Sequence, residues 1–324
     1  MAPRSLALRS SSRTVIYAAV AGNILVAMTK FAAAFWTGSS VMLSEGVHSL
    51  VDTGNEVLLL YGIRRAALRP DHDHPLGHGR EIYFWSFVVA LLVFALGAVV
   101  SLIQGMNHVL HPHAIENPMV NYVVLGTSAL FDGTTWWIAL RTFKGKKRYA
   151  DLFGAVRDSK DPPSFMVLFE DSAALIGLLV AFVGSFLSVK LKLPVLDGVA
   201  SLVIGLVLAT TATVLARETK GLLIGEGADQ SIVDSITRIA EKMDGVAHAN
   251  GILTVHLAPQ QIVVALSLEF DDALQTPDIE TKVRELERRV CESHRDVIAV
   301  FVKPQSEAGY KETVERRARR SNVS

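Results

Sequence analysis

Apolar residues gather into six long runs along the chain, at approximately 14–36, 41–63, 83–110, 118–140, 164–187 and 194–216. Each is long enough to cross a bilayer as a helix, which takes about 20 mostly apolar residues. The connections between them alternate in character. Those after the first, third and fifth runs are short: TGSS, HPHAIENP and SVKLKLP. Those after the second and fourth carry Arg64, Arg65, Arg69 and Arg80, then Arg141, Lys144, Lys146, Lys147, Arg148, Arg157 and Lys160. Basic residues accumulate on the cytoplasmic side of membrane proteins, so these loops and both termini are expected there. Lys190 and Lys192 fall on the other side as minor exceptions.

Beyond Arg217 the pattern changes to that of a soluble domain. DQSIVDSITRIAEKM has apolar residues at helical spacing, and GILTVHLA and QIVVALSLEF read as two strands joined near PQ. Thr276 followed by Pro277 signals a helix start, a capping residue with proline behind it. That helix runs through Glu292, and DVIAVFVKP supplies a third strand. The order αββαβ suits a small two-layer α+β domain with helices on one face of a sheet. The expected fold class is therefore an α-helical membrane protein. Six transmembrane helices precede a small, metallochaperone-like cytoplasmic αββαβ domain. The boundaries are a cytoplasmic tail at 1–13, a membrane domain at 14–216, the cytoplasmic domain at 217–305 and a polar, disordered tail at 306–324.

Composition supports the membrane assignment. Half of the 324 residues are hydrophobic and the mean hydropathy is +0.33, too apolar for an ordinary soluble domain. The 32 basic and 32 acidic residues balance, so net charge points to no nucleic-acid partner. The single cysteine, Cys291, excludes an intrachain disulfide and a cysteine-rich zinc site. The opening MAPRSLALRSSSR is basic, serine-rich and free of acid, and reads as a plain cytoplasmic tail. A transit peptide or signal-peptide start is the other reading of such a composition.

Ionisable residues interrupt the second run: Glu45, His48, Asp52 and Glu56. Each costs about 2.5–3.5 kcal/mol at the centre of a membrane helix, so something must compensate. His48 and Asp52 are four apart and share one helix face, which Glu45 and Asn55 extend. At about 1.5 Å per residue, Asp52 lies roughly 16–17 Å below the outer end of its span. Asp171, in FEDSA of the fifth run, lies roughly 12 Å from the inner surface, a matching depth. An imidazole with carboxylates is a ligand set for a first-row divalent metal. A proton relay without metal, or polar pairing between helices, is the alternative. Glu170 points about 100° away from Asp171 and could be a supporting group, a proton carrier or a replacement ligand. Asp132 and Lys30 are further charges within the runs.

The loop RPDHDHPLGHGRE holds Asp71, His72, Asp73, His74, His78 and Glu81, a density that suggests a second metal site. Gly77 and Gly79 would permit a tight turn there. A solvated polar turn is the plain reading of the same composition.

On these motifs the chain resembles the cation diffusion facilitators, a family of dimeric metal/proton antiporters that export zinc and related ions. The likeness rests on six spans, HSLVD in the second, the loop HPLGHGRE and the αββαβ domain. LFEDSAALIGLL and LDGVASLVIG resemble in particular the branch containing the mitochondrial zinc exporter of animals. The resemblance implies a transport site at His48, Asp52 and Asp171, and a second zinc site at Asp71, His74 and His78. Most zinc-transporting members repeat His-x-x-x-Asp in the fifth span, whereas this chain has Val167 four before Asp171. Glu170, Glu45 or a water would then be the fourth ligand. A more oxygen-rich site shifts preference toward harder ions such as manganese or iron(II). The resemblance also implies a homodimer. With only His248 and His256 nearby, it does not extend to a binuclear metal sensor in the soluble domain.

The expected activity is thus divalent cation/proton antiport, with zinc as cargo and Mn²⁺, Fe²⁺ or Co²⁺ as alternatives, and no prosthetic group. The partners are the metal ion, protons and the lipid bilayer. The expected location is a bacterial inner membrane or, alternatively, an organellar one. An intramembrane hydrolase is a rival, but H-E-x-x-H is absent and His48 beside Asp52 suits metal better than an aspartyl dyad. A membrane anchor for the soluble domain is the other rival.

Overall fold

The computed structural model describes residues 17, 20–29, 31, 32, 35, 40–112, 118–144 and 160–321. For residues 40–48, 51, 120, 142–144, 320 and 321 it describes the helix but not the side chains. The chain divides into two compact units, Met1–Leu223 and Ile224–Ser324.

The first unit is helical because its long apolar runs leave the backbone no water to bond, so each N–H and C=O pairs within its own segment. Its helices are α1 (Val20–Thr29), α2 (Ser40–Ala66), α3 (Glu81–Leu110), α4 (Pro118–Lys144), α5 (Pro162–Leu191) and α6 (Val195–Ile224). Among the described residues, four stretches are long and apolar enough to cross a membrane: Glu81–Leu110, Asn121–Arg141, Pro162–Leu191 and Val195–Ile224. Each was expected as a span. The first and second runs were also expected as spans; α1 is a shorter apolar helix and α2 carries the acidic stripe. Lys30 lies outside the described residues.

Helix ends follow local chemistry. α5 opens at Asp161, whose carboxylate accepts the Ser164 hydroxyl at 2.7 Å, with Pro162 and Pro163 in the first turn where no N–H is needed. It closes at Lys192 in the left-handed region (φ 56°), while the Leu193 N–H reaches back to the Ser188 carbonyl at 3.0 Å. α6 runs on to Ile224, past the boundary at 217 expected from composition. Arg217, Glu218 and Lys220 continue a helix whose buried Leu215, Thr219 and Leu222 keep helical spacing, so polarity changed there without a structural break.

Packing between helices uses small residues, as apolar surface alone gives no selectivity in lipid. A Cβ on Gly105 of α3 would meet the Leu202 N at 2.8 Å and the Gly198 O at 3.0 Å, so α3 and α6 touch backbone to backbone. His108 and Asp197 join the same helices at 3.3 Å. Trp136 donates to Ser172 Oγ at 2.8 Å and Asn121 to Ser185 Oγ at 2.9 Å, pinning α4 to α5. The core gathers Leu59, Tyr83, Val89, Phe165, Met166 and Leu215. α3 contains a π-helical stretch, Val93–Val99, whose wider turn interrupts the ordinary bonding pattern.

The second unit has the expected order: α7 (Gln230–Glu241), β1 (Val246–Ala258), β2 (Gln261–Phe270), α8 (Thr276–Ser293) and β3 (Val297–Pro304). The sheet order is β1-β2-β3, with β1 and β2 antiparallel and β2 and β3 parallel. Ile262, Val264, Leu266 and Leu268 alternate along β2 and pack on Ile236 and Ala240 of α7 and Leu286 and Val290 of α8. The cap of α8 lies one residue before the expected Thr276. The Gln275 N–H is held by the Asp278 carboxylate at 3.1 Å, so an acid reaching back from the first turn replaces a capping hydroxyl.

The tail expected to be disordered is largely helical, as α9 (Glu307–Ser321). Its composition is polar, but Glu307 pairs with Lys311 at 2.6 Å, and the helix is docked rather than free. Tyr310 lies against Gly251, where no side chain obstructs it. Gln305 accepts from Asn250 at 2.7 Å through its carbonyl and donates to Thr313 at 2.9 Å.

Candidate metal centre

α2 presents a polar face in an otherwise apolar bundle: Ser49, Asp52, Thr53, Asn55 and Glu56. A cavity of about 150 Å³ opens on this face. Its polar lining comes from Asp52, Asn55 and Ser49 of α2, Asn23 of α1, Asp132 of α4 and Glu170 of α5. Leu92, Val93, Leu96 and Gly97 of α3 border it, so the π-helical stretch lies at the cavity wall.

Asp52 and Glu170, both expected at the site, meet at this cavity. Asn55 bridges the two helices, donating to Glu170 Oε1 at 3.2 Å. Glu170 therefore belongs to the polar cluster rather than to a face turned away from it. Asp171 lies one residue on, 8% exposed, with Thr135 of α4 against its carboxyl. Its Oδ2 is buried and has no hydrogen-bond partner among the described residues. Asp52 and Asp171 lie close enough for their charges to act on each other. His48 and Glu45 lie on α2, but their side chains fall outside the described ones.

Two residues not assigned at the sequence level join the cluster. Glu56, one turn from Asp52, is only 3% exposed and accepts a hydrogen bond from Asn23 of α1 at 2.9 Å. Its charge acts on those of Glu170, Asp171 and Asp52. The i+4 spacing from Asp52 was its available signal; nothing in the sequence tied Asn23 to it. Val167 is 2% exposed and packs with Phe165, Met166 and Leu168 in the core. Its side chain offers no ligand atom.

The six polar residues of the segment joining α2 to α3 sort into three sets. Ligand atoms of Asp71, His74 and His78 lie within 4.8 Å of one another, which suits a shared cation. His74 Nδ1 is 3.2 Å from Asp71 Oδ1 and His78 Nε2 is 3.4 Å from Asp71 Oδ2. The His74 N–H donates to Asp71 Oδ1 at 2.7 Å, and Gly77 turns the loop at φ 85°. The His74 backbone N–H, above all, holds the Asp71 carboxyl below its ordinary range, which keeps it charged. His72 and Asp73 form a separate exposed pair. Glu81 is taken by Arg65 at 2.8 Å and Trp85 Nε1 at 2.8 Å, so it braces the loop. In the second unit His256 is buried on β1, its Nδ1 3.3 Å from the Ala258 carbonyl, and His248 is exposed.

The chain is similar in sequence to several known proteins. Residues 16–224 match the cation efflux transmembrane domain. The chain is 29% identical to the human mitochondrial proton-coupled zinc antiporter SLC30A9 over 264 residues, 81% of this chain and 46% of that protein. It is 31% identical to metal tolerance protein C4 of Arabidopsis thaliana over 233 residues, 70% of this chain and 50% of that one. It is 22% identical to the manganese efflux system protein MneS of Bacillus subtilis over 281 residues, 85% of this chain and 89% of that one. The chain spans about half the length of the first two relatives.

Proposed function

Because the chain belongs to the cation efflux family, the cation diffusion facilitators, and is a membrane transporter rather than an enzyme, we propose that it exports a divalent metal cation in exchange for protons. The observation that carries this reading is the cavity where Asp52, Asp132 and Glu170 meet inside an apolar bundle. Several carboxylates close enough to repel one another are expensive there unless a cation or protons neutralise them.

The cargo site is formed by Asp52, Asp171 and Glu170, with His48 on the same face of α2. Zinc is the first candidate, with manganese, iron(II) and cobalt as alternatives. Val167 in the core makes the described donor set rich in oxygen, which favours the harder ions relative to a two-histidine site. The names of the zinc and manganese relatives are compatible with either choice.

A cation arriving from the cytoplasm displaces protons, because ligands bind metal in their deprotonated form. Rocking of the helices then exposes the site to the other side, where protons return and release the cation. His48, with an ordinary pKa near neutrality, is suited to that exchange. The loop trio Asp71, His74 and His78 holds a second cation on the cytoplasmic face. In this reading six spans place both termini in the cytoplasm, two copies associate as a homodimer, and the host is a bacterial inner membrane or an organellar one.

The test is cation-driven proton flux in proteoliposomes, with zinc, manganese, iron(II) and cobalt offered separately. Flux with at least one ion, abolished by Asp52→Ala and by Asp171→Ala, is the expected result. Folded protein that moves none of them overturns the reading and leaves the bundle as a membrane anchor.

A further inference from the structure

Two carboxylate oxygens in the bundle are buried without a hydrogen-bond partner among the described residues: Glu56 Oε2 and Asp171 Oδ2. The other Glu56 oxygen is held by Asn23, which itself lines the cavity. A buried carboxylate oxygen with no donor is costly unless a cation or a proton reaches it.

The two acids lie at similar depth. α2 and α5 run in opposite directions: α3 lies antiparallel to α2, with Gly62 against Trp85 and Arg65 on Glu81, and begins beside the start of α5, where Tyr83 reaches the Lys160 carbonyl; the Asn55–Glu170 bond fixes the register. At about 1.5 Å per residue, Asp171 sits roughly 3 Å in depth from Glu56 on one side and from Asp52 on the other. The charges of all three act on one another. Glu170 is differently placed: Asn55 holds one of its oxygens, and it borders the cavity.

We propose that Glu56 is a ligand of the transported cation, supplying with Asp171 the oxygen donor that Val167 cannot. This rests on the cation-transport reading above and names a residue of that site. Asn23 is then a positioning residue, aiming the carboxylate from α1. The site extends one helical turn from Asp52 toward the Ala66 end of α2 and draws on a helix beyond α2 and α5.

The experiment is equilibrium binding of zinc and of manganese to the purified full-length chain carrying Asp71→Ala, which removes the loop site's contribution. Glu56→Gln keeps the bond from Asn23 but loses the charged oxygen. Weaker binding by about tenfold or more is expected, with an unchanged unfolding temperature. Glu56→Asp, which keeps the charge but withdraws it by one methylene, serves if the glutamine variant fails to fold, and it also binds less tightly. Asn23→Ala weakens binding less than either.

Affinity within twofold of the parent in Glu56→Gln, while Asp171→Asn abolishes binding, overturns the role of Glu56 and leaves the transport site standing. A lowered unfolding temperature with unchanged affinity assigns Glu56 to structure and also overturns it. A parent chain that binds neither ion removes the transport reading, and this inference with it.

Discussion

Asn55 of α2 donates a hydrogen bond to Glu170 of α5 at 3.2 Å, across 115 residues of chain. The bond ties together the two helices that carry Asp52 and Asp171. It also orients Glu170 along the cavity wall, so Asn55 shapes the site without itself carrying charge. Replacing it with alanine releases Glu170 to rotate. A hydrogen bond to a charged group is worth about 1.5–3 kcal/mol, so Asn55→Ala should lower cation-driven flux by roughly ten- to a hundredfold. Proteoliposome flux measured beside the unfolding temperature separates this from loss of fold.

The contact between α3 and α6 leaves no space for a methyl group at Gly105, where a Cβ meets the Leu202 N at 2.8 Å. Gly105→Ala must push the helices apart, at a cost of about 1–3 kcal/mol. A lower unfolding temperature in detergent is expected. Gly126→Ala of α4, where nothing lies within 4 Å of the added Cβ, should leave it unchanged.

The loop cluster predicts a binding site independent of the bundle. His78 is 8% exposed and its Nε2 faces Asp71, whereas His72 is exposed and pairs with Asp73. His78→Ala should remove one divalent ion per chain from the binding stoichiometry, and His72→Ala should remove none. Isothermal titration with zinc checks both. Equal stoichiometry in the two variants would show that the loop is only a solvated turn.

The second unit carries a pH-dependent contact of its own. Glu285 of α8 is pushed down from 4.5 to about 2 by Arg288 first and Arg289 second. A carboxylate with a depressed folded-state pKa adds stability that is fully present above its unfolded value and lost as pH falls through the folded one. Acidification from about pH 4.5 to about 2 should therefore weaken this contact progressively. The effect is modest, because the groups are solvent-facing. Glu285→Gln should make the loss of helical circular dichroism over that window less steep.

Much of this architecture was legible in the chain. Long apolar runs and period-2 alternation are local properties, and they located α3 to α6 and the αββαβ order without reference to any neighbour. The density of acids and histidines in the loop was also visible, and from it the fold gathers Asp71, His74 and His78. The tail was misjudged for the complementary reason. α9 is polar in sequence, and what folds it is a docking contact with Gly251 and Gln305 that composition cannot express.

By itself, then, the sequence determined four helices long and apolar enough to cross a membrane, the small α+β unit and the acids that interrupt the apolar runs, all through the spacing of residues along one segment. The tertiary structure decided which of those acids meet. It set Val167 in the core, gave Glu170 to Asn55, aimed Glu56 through Asn23 and left Glu56 Oε2 and Asp171 Oδ2 without partners among the described residues. The reason is physical: a helix fixes where its own side chains project, but the cost of a buried charge depends on what the next helix offers it.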